Sequence, residues 1–278
     1  MTPTLTTADG LSLHVHHWPC AQPRGTVLIV HGLGEHGGRY AHVAAMLNDA
    51  GWEVFAHDHR GHGRSGGARG RIASDTALLE DLAVVIDATR AARPGRLLLL
   101  GHSMGGLIAA RFVAEGLQAQ PARWHREVDA LVLSSPALAA DMNPLQKLLL
   151  ASLGRLAPDL AVGNGLKPAW VSRDATVVQA YVADPLVHDR ITPRLARFIL
   201  DGGEFVRASA SRWRVPTLLM WAGSDRCVAP RGSAEFAAAA PAGVVQAQVF
   251  APLYHEIFNE PEQAQVLARL REWLLQRG

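Results

Sequence analysis

The sequence predicts an α/β fold with a mostly parallel central sheet, helices on both faces and an inserted helical cap. Three observations carry that prediction. From Thr26 onward, short apolar runs alternate with stripes of helical period, the pattern of strands joined by crossover helices. Most of those runs are apolar at every position, as strands covered on both faces must be. One long stretch, residues 136–212, then breaks the alternation.

Before the alternation starts, Leu11, Leu13 and Val15 alternate with polar residues after the Asp9-Gly10 turn signal. This predicts a half-buried antiparallel entry strand. The main-sheet strands are predicted at Thr26–Val30, Glu53–His57, 97–100, Ala130–Ser134, 217–221 and Val245–Phe250. Between them, Tyr40, Val43, Ala44 and Leu47 share a helical face ended by Gly51. Leu78, Leu82, Val85 and Ile86 share another, ended by Pro94-Gly95, and Val266, Leu267, Leu270, Trp273 and Leu274 form the last, begun near Pro261. Residues 136–212 contain no good strand, only helix-like stretches punctuated by prolines. Leu145, Leu148, Leu149, Leu153 and Leu156 lie there at helical spacing and are expected to face inward and line a tunnel beneath the cap. The expected organisation is one domain over residues 1–278 with the cap inserted at about 136–212.

Composition narrows the function. Hydrophobic residues make up 49% and charged ones 19%, which supplies a core and rules out a disordered chain. Lys plus Arg total 27 against 25 Asp plus Glu, a net charge of +2. That balance argues against nucleic acid as a partner, because it wants clustered basic charge. Cys20 and Cys227 are too few for a disulfide framework or a thiolate cage. The N-terminus has no signal-peptide pattern, and no apolar run approaches about 18 residues. A cytoplasmic protein without stable membrane insertion is expected, any transient contact with a membrane surface being made through the cap.

The sharpest local feature is Gly101-His102-Ser103-Met104-Gly105-Gly106, which follows an apolar run and precedes the helical pattern Leu107, Ile108, Phe112. Ser103 is therefore expected on a tight strand-to-helix turn whose flanking glycines avoid backbone clashes. Such a turn holds a hydroxyl exposed above the sheet edge in a strained conformation. A serine nucleophile needs a base, and the base needs an orienting carboxylate. Asp225, in Ala222-Gly223-Ser224-Asp225, and His255, in Leu253-Tyr254-His255-Glu256, follow later strands in the order this architecture demands. Asp184, Asp189 and Asp201 fall in the expected cap and are poorer acids. An oxyanion needs two aimed N–H donors, each worth on the order of 10²–10³ in rate. The amide of Met104, after the nucleophile, and that of Leu33, in the glycine-rich loop after residues 26–30, are the candidates.

GLGEHGGRY, HDHRGHGRSGG, GHSMGG, VADPL, AGSDRCV and YHEIFNE occur in order across about residues 27–273. Together they resemble the monoacylglycerol lipase/lysophospholipase branch of the α/β-hydrolase superfamily. The resemblance implies an α/β-hydrolase fold and a cofactor-free serine hydrolase that cleaves monoacylglycerol or a similar single-chain lipid ester through an acyl-enzyme. It assigns Ser103, Asp225 and His255 to catalysis, Leu33 and Met104 to the oxyanion hole, and Arg39, His102 and Tyr181 to the alcohol end of the pocket. It also implies a departure: where similar lipases carry a glutamate four residues before that tyrosine, this chain has Val177. Glyceryl selectivity is accordingly expected to be modest.

Lysophospholipase, short-chain carboxylesterase and peptidase-like amidase are the alternatives on the same fold, and a small-molecule receptor or scaffold is the non-enzyme alternative. A haloalkane dehalogenase would place Asp where Ser103 stands. His57-Asp58-His59 with His62 invites a metal reading, but the order does not match HxHxDH and no further ligand set follows, so no metal is assigned. Residues 61–70 lack GxxxxGK[ST] and are not read as a phosphate cradle. Cys227 reads as a small buried hydrophobe.

Overall fold

The computed structural model describes residues 4–276, without the side chains of residues 144–147, 149 and 151. In chain order the elements are β1 (Thr4–Thr6), β2 (Ser12–Trp18), β3 (Thr26–Val30), α1 (Ala41–Asp49), β4 (Glu53–His57), α2 (Ala77–Ala92), β5 (Leu97–His102) and α3 (Met104–Glu115). There follow β6 (Ala130–Ser134), α4 (Pro144–Leu156), β7 (Val162–Gly163), α5 (Ala175–Ala183), β8 (Arg190–Ile191) and α6 (Pro193–Ser209). The chain closes with β9 (Thr217–Ala222), α7 (Pro230–Ala239), β10 (Val245–Phe250) and α8 (Gln263–Leu275). This is the α/β-hydrolase arrangement: eight strands in the order β1-β2-β4-β3-β5-β6-β9-β10, with β1 and β2 antiparallel and the rest parallel.

The continuous apolar runs follow from this layering. Successive strand residues point to opposite faces, and both faces are covered. Leu97 and Leu99 join one core with residues of α2, α3 and α6, while Leu98 and Leu100 join the other with residues of α1 and α8. Leu28 and Val30 divide from Val27 and Ile29 in the same way. The entry strand is β2, where Leu13 and Val15 are buried and the intervening residues are half-exposed. Edge strand β10, VQAQVF, alternates because its central residues reach solvent.

Between β6 and β9 the structure departs from expectation in three respects. Val162 pairs with Ile191 and Gly163 with Arg190, a two-residue antiparallel ladder too short to leave a sequence pattern. Helix α6 packs on α3 and the sheet: Leu195, Phe198 and Val206 are buried in the first core. A Cβ at Gly203 would meet the Leu138 carbonyl at 2.6 Å, so a glycine permits that close approach. The segment that roofs the sheet's carboxyl edge therefore ends before α6. Third, the leucine stripe does not face inward as a whole. Leu148 and Leu156 are 65% and 84% exposed, whereas Leu150 and Leu153 line the internal cavity; the side chains of Leu145 and Leu149 lie outside the described residues. Helical spacing identifies a face, but a roof helix has apolar space beneath it and solvent above.

Candidate active site

Strand β5 hands over to α3 through Ser103, whose φ of 55° and ψ of −122° are strained for a residue with a side chain. Its neighbours explain why the turn holds. A Cβ at Gly101 would lie 2.5 Å from the Gly105 carbonyl, and one at Gly105 would lie 2.0 Å from that of Val30. Ser103 N–H donates to the Ser134 carbonyl, and its own carbonyl accepts from Leu107 and Ala137, each at 3.0 Å. The hydroxyl is thereby pinned above the sheet edge.

Two loops bring its partners. Asp225 follows β9 and His255 follows β10, adjacent strands of the sheet. His255 Nε2 lies 2.8 Å from Ser103 Oγ, and Nδ1 lies 2.7 Å from Asp225 Oδ2. Asp225 can only accept, so Nδ1 carries the proton and Nε2 is left to take one from the serine. The second Asp225 oxygen accepts from the amides of Cys227 and Val228, at 2.8 and 3.0 Å. Burial alone would raise the Asp225 carboxyl, but His255 and these two amides hold it below the usual range. Burial would likewise lower His255, but the adjacent Asp225 carboxylate, together with Glu256 and Glu35, outweighs it and raises the imidazole.

Met104 opens α3, so its N–H lies in the first turn, where the helix has no acceptor for it. Leu33 lies on the loop after β3, and Leu33, Ser103 and Met104 line one cavity. That loop is held by Glu35, whose Oε1 accepts from Gly32 N–H at 2.6 Å and from the Tyr40 hydroxyl at 2.7 Å. The roof closes on it: His188 N–H donates to the Gly34 carbonyl at 2.8 Å, and a Cβ at Gly34 would meet the His188 carbonyl at 2.3 Å.

Ser103 stands where two cavities meet. One, of about 580 Å³, is apolar, with Leu150, Leu153, Trp170, Ile191 and Ile199 among its walls. The other, of about 420 Å³, is mixed: Glu35, His102, Tyr181, Asp184 and Glu256 share its walls with apolar residues such as Leu166 and Val187. His102 and Tyr181 thus reach the space expected for an alcohol group. Arg39 does not line it. Its guanidinium donates to Glu35 Oε2 at 2.6 Å and to both Glu256 oxygens at 2.7 Å, and it packs 4.8 Å from the Tyr181 ring centroid. Arg39 stands behind the wall that its two carboxylate partners form. Val177 is half-buried on α5 and lines neither cavity.

Glu35 and Glu256 line the smaller cavity without having been singled out in the sequence, and Cys227, read there as a buried hydrophobe, is half-buried in its wall. The only sequence signal for Glu256 is its place directly after His255. The run 57–62 wires the turn beneath the site. His59 N–H donates to His31 Nε2, and His59 Nε2 lies 2.9 Å from the His31 carbonyl. Burial and nearby histidines hold His59 down at about 3, and burial holds His57 at about 4, so neither is charged at neutral pH. Among the described residues, Asp225, Cys227 and His255 could gather a metal ion, but both His255 nitrogens are engaged in the hydrogen-bond chain.

A family model described as "Serine aminopeptidase, S33" matches residues 21–262. A monoacylglycerol lipase of Mycolicibacterium smegmatis is 38% identical over 261 residues, 92% of this chain and 90% of that protein. The monoglyceride lipase of Homo sapiens is 31% identical over 282 residues, covering 99% and 90%. The crystal structure of Paleococcus ferrophilus monoacylglycerol lipase superposes with a TM-score of 0.84 at 34% identity, covering 96% of this chain and 99% of that one.

Proposed function

The chain belongs to the serine aminopeptidase S33 family and to the monoacylglycerol lipase branch of the α/β-hydrolases, it is a serine ester hydrolase, and we propose that its substrate is monoacylglycerol or a similar single-chain lipid ester. One observation supports this most: Ser103 sits at the junction of a larger apolar cavity and a smaller one that carries polar side chains, so an ester bond at its Oγ has one side for a chain and one for an alcohol.

Ser103 Oγ attacks the acyl carbonyl as His255 Nε2 takes its proton. The Asp225 carboxylate orients the imidazole and stabilises its charge. The oxyanion is met by the N–H groups of Leu33 and Met104, the latter aided by the positive end of α3. His255 returns the proton to the leaving alcohol, and a water activated by His255 then releases the acid. His102 and Tyr181 contact the alcohol group. None of these steps needs a cofactor.

We read the enzyme as cytoplasmic; Cys20 and Cys227 are unpaired thiols. Among the described residues, no helix is long and apolar enough to cross a membrane. Exposed Leu148, Leu156, Leu160 and Val182 of the roof favour transient contact with a lipid surface.

A panel of monoacylglycerols, lysophospholipids, methyl esters and aminoacyl amides tests the reading. Monoacylglycerols are expected to give the highest kcat/KM. Higher values for lysophospholipids or amides would reassign the substrate.

A further inference from the structure

Asp58 belongs to the His57-Asp58-His59 run, yet the histidines that gather round it come from β2. His14 and His16 occupy alternate positions of that strand, so both side chains leave one face of the sheet. Their rings meet edge to face with centroids 4.6 Å apart. His16 Nε2 lies 2.8 Å from Asp58 Oδ1. One ring nitrogen of each histidine and an Asp58 oxygen all lie within 4.8 Å of one another. The Nε2 of His14 is buried and has no hydrogen-bond partner. A buried imidazole nitrogen left without a partner forfeits a hydrogen bond it would have had in water.

We infer that His14, His16 and Asp58 form a binding site for a divalent transition ion of the zinc class, apart from the atoms that cleave the ester. Two imidazoles and a carboxylate are a borderline-soft donor set, which suits zinc, nickel or copper; calcium and magnesium want oxygen ligands. With zinc bonds of about 2.0–2.2 Å, tetrahedral ligands stand roughly 3.3 Å apart, so His16 and Asp58, now 2.8 Å apart, open slightly while His14 closes on them, with water as fourth ligand.

The surroundings fit a ligand cluster. Asp58 is fully buried, and its oxygens are oriented by the N–H groups of Gly37 and Arg64, each at 2.8 Å. Glycines leave the space: a Cβ at Gly37 would lie 2.9 Å from His16 Cδ2, and one at Gly63 would lie 2.2 Å from Asp58 Oδ2. His14 and His16 are half-buried, which leaves a path from solvent. The exposed Arg64 at the rim opposes a cation, and the Asp58 carboxylate opposite it supplies the compensating charge. His36 is not a ligand, because its nitrogens are held by Asp184 and the Gly38 amide. When the ion binds, it replaces the proton on His16 Nε2, which moves to Nδ1 of the same ring. The ion would tie β2 to the loop after β4.

The test uses untagged protein carrying Cys227→Ser, which removes the thiol from the other group able to gather a metal. Zinc chloride titrated by calorimetry is expected to show one saturable ion per chain and to raise the thermal midpoint; magnesium chloride is expected to do neither. His14→Ala and His16→Ala should each weaken zinc at least about tenfold, or 1.4 kcal/mol, and His42→Ala should not. Copper EPR provides a second readout that does not depend on those variants being stable: nitrogen splitting from two imidazoles is expected, reduced to one in His14→Gln. No saturable zinc up to millimolar concentration, or equal affinity in the two alanine variants, would overturn the site.

Discussion

Arg39 and Glu256, 217 residues apart, form a bidentate ion pair with two bonds of 2.7 Å. The same guanidinium holds Glu35, which holds the Gly32 amide. One side chain thus joins the loop bearing Leu33 to the loop bearing His255. All three members are largely buried, with side-chain exposures of 12%, 6% and 4% for Arg39, Glu256 and Glu35. Removing the arginine strands two buried carboxylates, a change that costs about 3–5 kcal/mol when one member of a buried pair is deleted. Arg39→Ala is expected to lower the urea midpoint and to reduce kcat more than it raises KM. Lysine should rescue poorly, because it cannot make the forked contact. An Arg39→Ala enzyme with normal kcat and a raised KM would instead make Arg39 a substrate ligand.

For Ser103, a fluorophosphonate probe is expected to label the wild type and leave Ser103→Ala unlabelled. Asp225→Asn should lower turnover by up to about 10⁴, as in other triads. Near-normal Asp225→Asn alongside an inactive Asp184→Asn or Asp201→Asn would move the acid elsewhere.

The pH profile follows from His255, which must be neutral to accept the serine proton. Burial lowers its pKa, but Asp225, with Glu256 and Glu35, raises it by more, so the net value lies above the free imidazole value of about 6.5. Activity is therefore present above that raised value and lost as pH falls through it. In Asp225→Asn only Glu256 and Glu35 are left to oppose burial, so the acid limb of kcat/KM should shift to lower pH. An unmoved limb would assign it to another group.

Chain-length preference should follow the apolar cavity. Each methylene buried contributes about 0.8 kcal/mol, nearly fourfold in kcat/KM, until the space is full. Leu153→Trp is expected to shorten the preferred chain, whereas Leu148→Trp, on the outer surface, should leave it unchanged. With Val177 in place of a carboxylate, glyceryl esters should exceed matched methyl esters only modestly, by about 0.5–1.5 kcal/mol for one hydrogen bond. Val177→Glu is expected to widen that margin, and an unchanged margin would show that position 177 stays outside the cavity wall. Efficient triacylglycerol hydrolysis would contradict a space roofed to admit one chain.

Turnover should survive exhaustive chelation, since the ion site of His14, His16 and Asp58 takes no part in ester cleavage. A loss of kcat restored by zinc would give the metal a catalytic role.

The sequence by itself determined the layered sheet and the location of the nucleophile, and the reason is local. Doubly covered strands must be apolar at every position, and Leu97 to Leu100 supply both cores in alternation. The turn at Ser103 requires glycine at 101 and 105, a requirement met within five residues. Asp225 and His255 were legible because each follows a strand, and strand order brings the carboxyl ends together. Other features depend on contacts between distant segments, which no local pattern records. Arg39 read as a group for the substrate until Glu256 arrived from 217 residues away to claim it. The leucines of α4 showed a helix, but only packing decided that Leu153 faces the cavity and Leu156 the solvent. Asp58 was read with its neighbours His57 and His59, and strand pairing gave it His16 instead. Backbone geometry is set by neighbours in sequence, whereas the partner of a buried charge is set by whichever segment the fold lays against it.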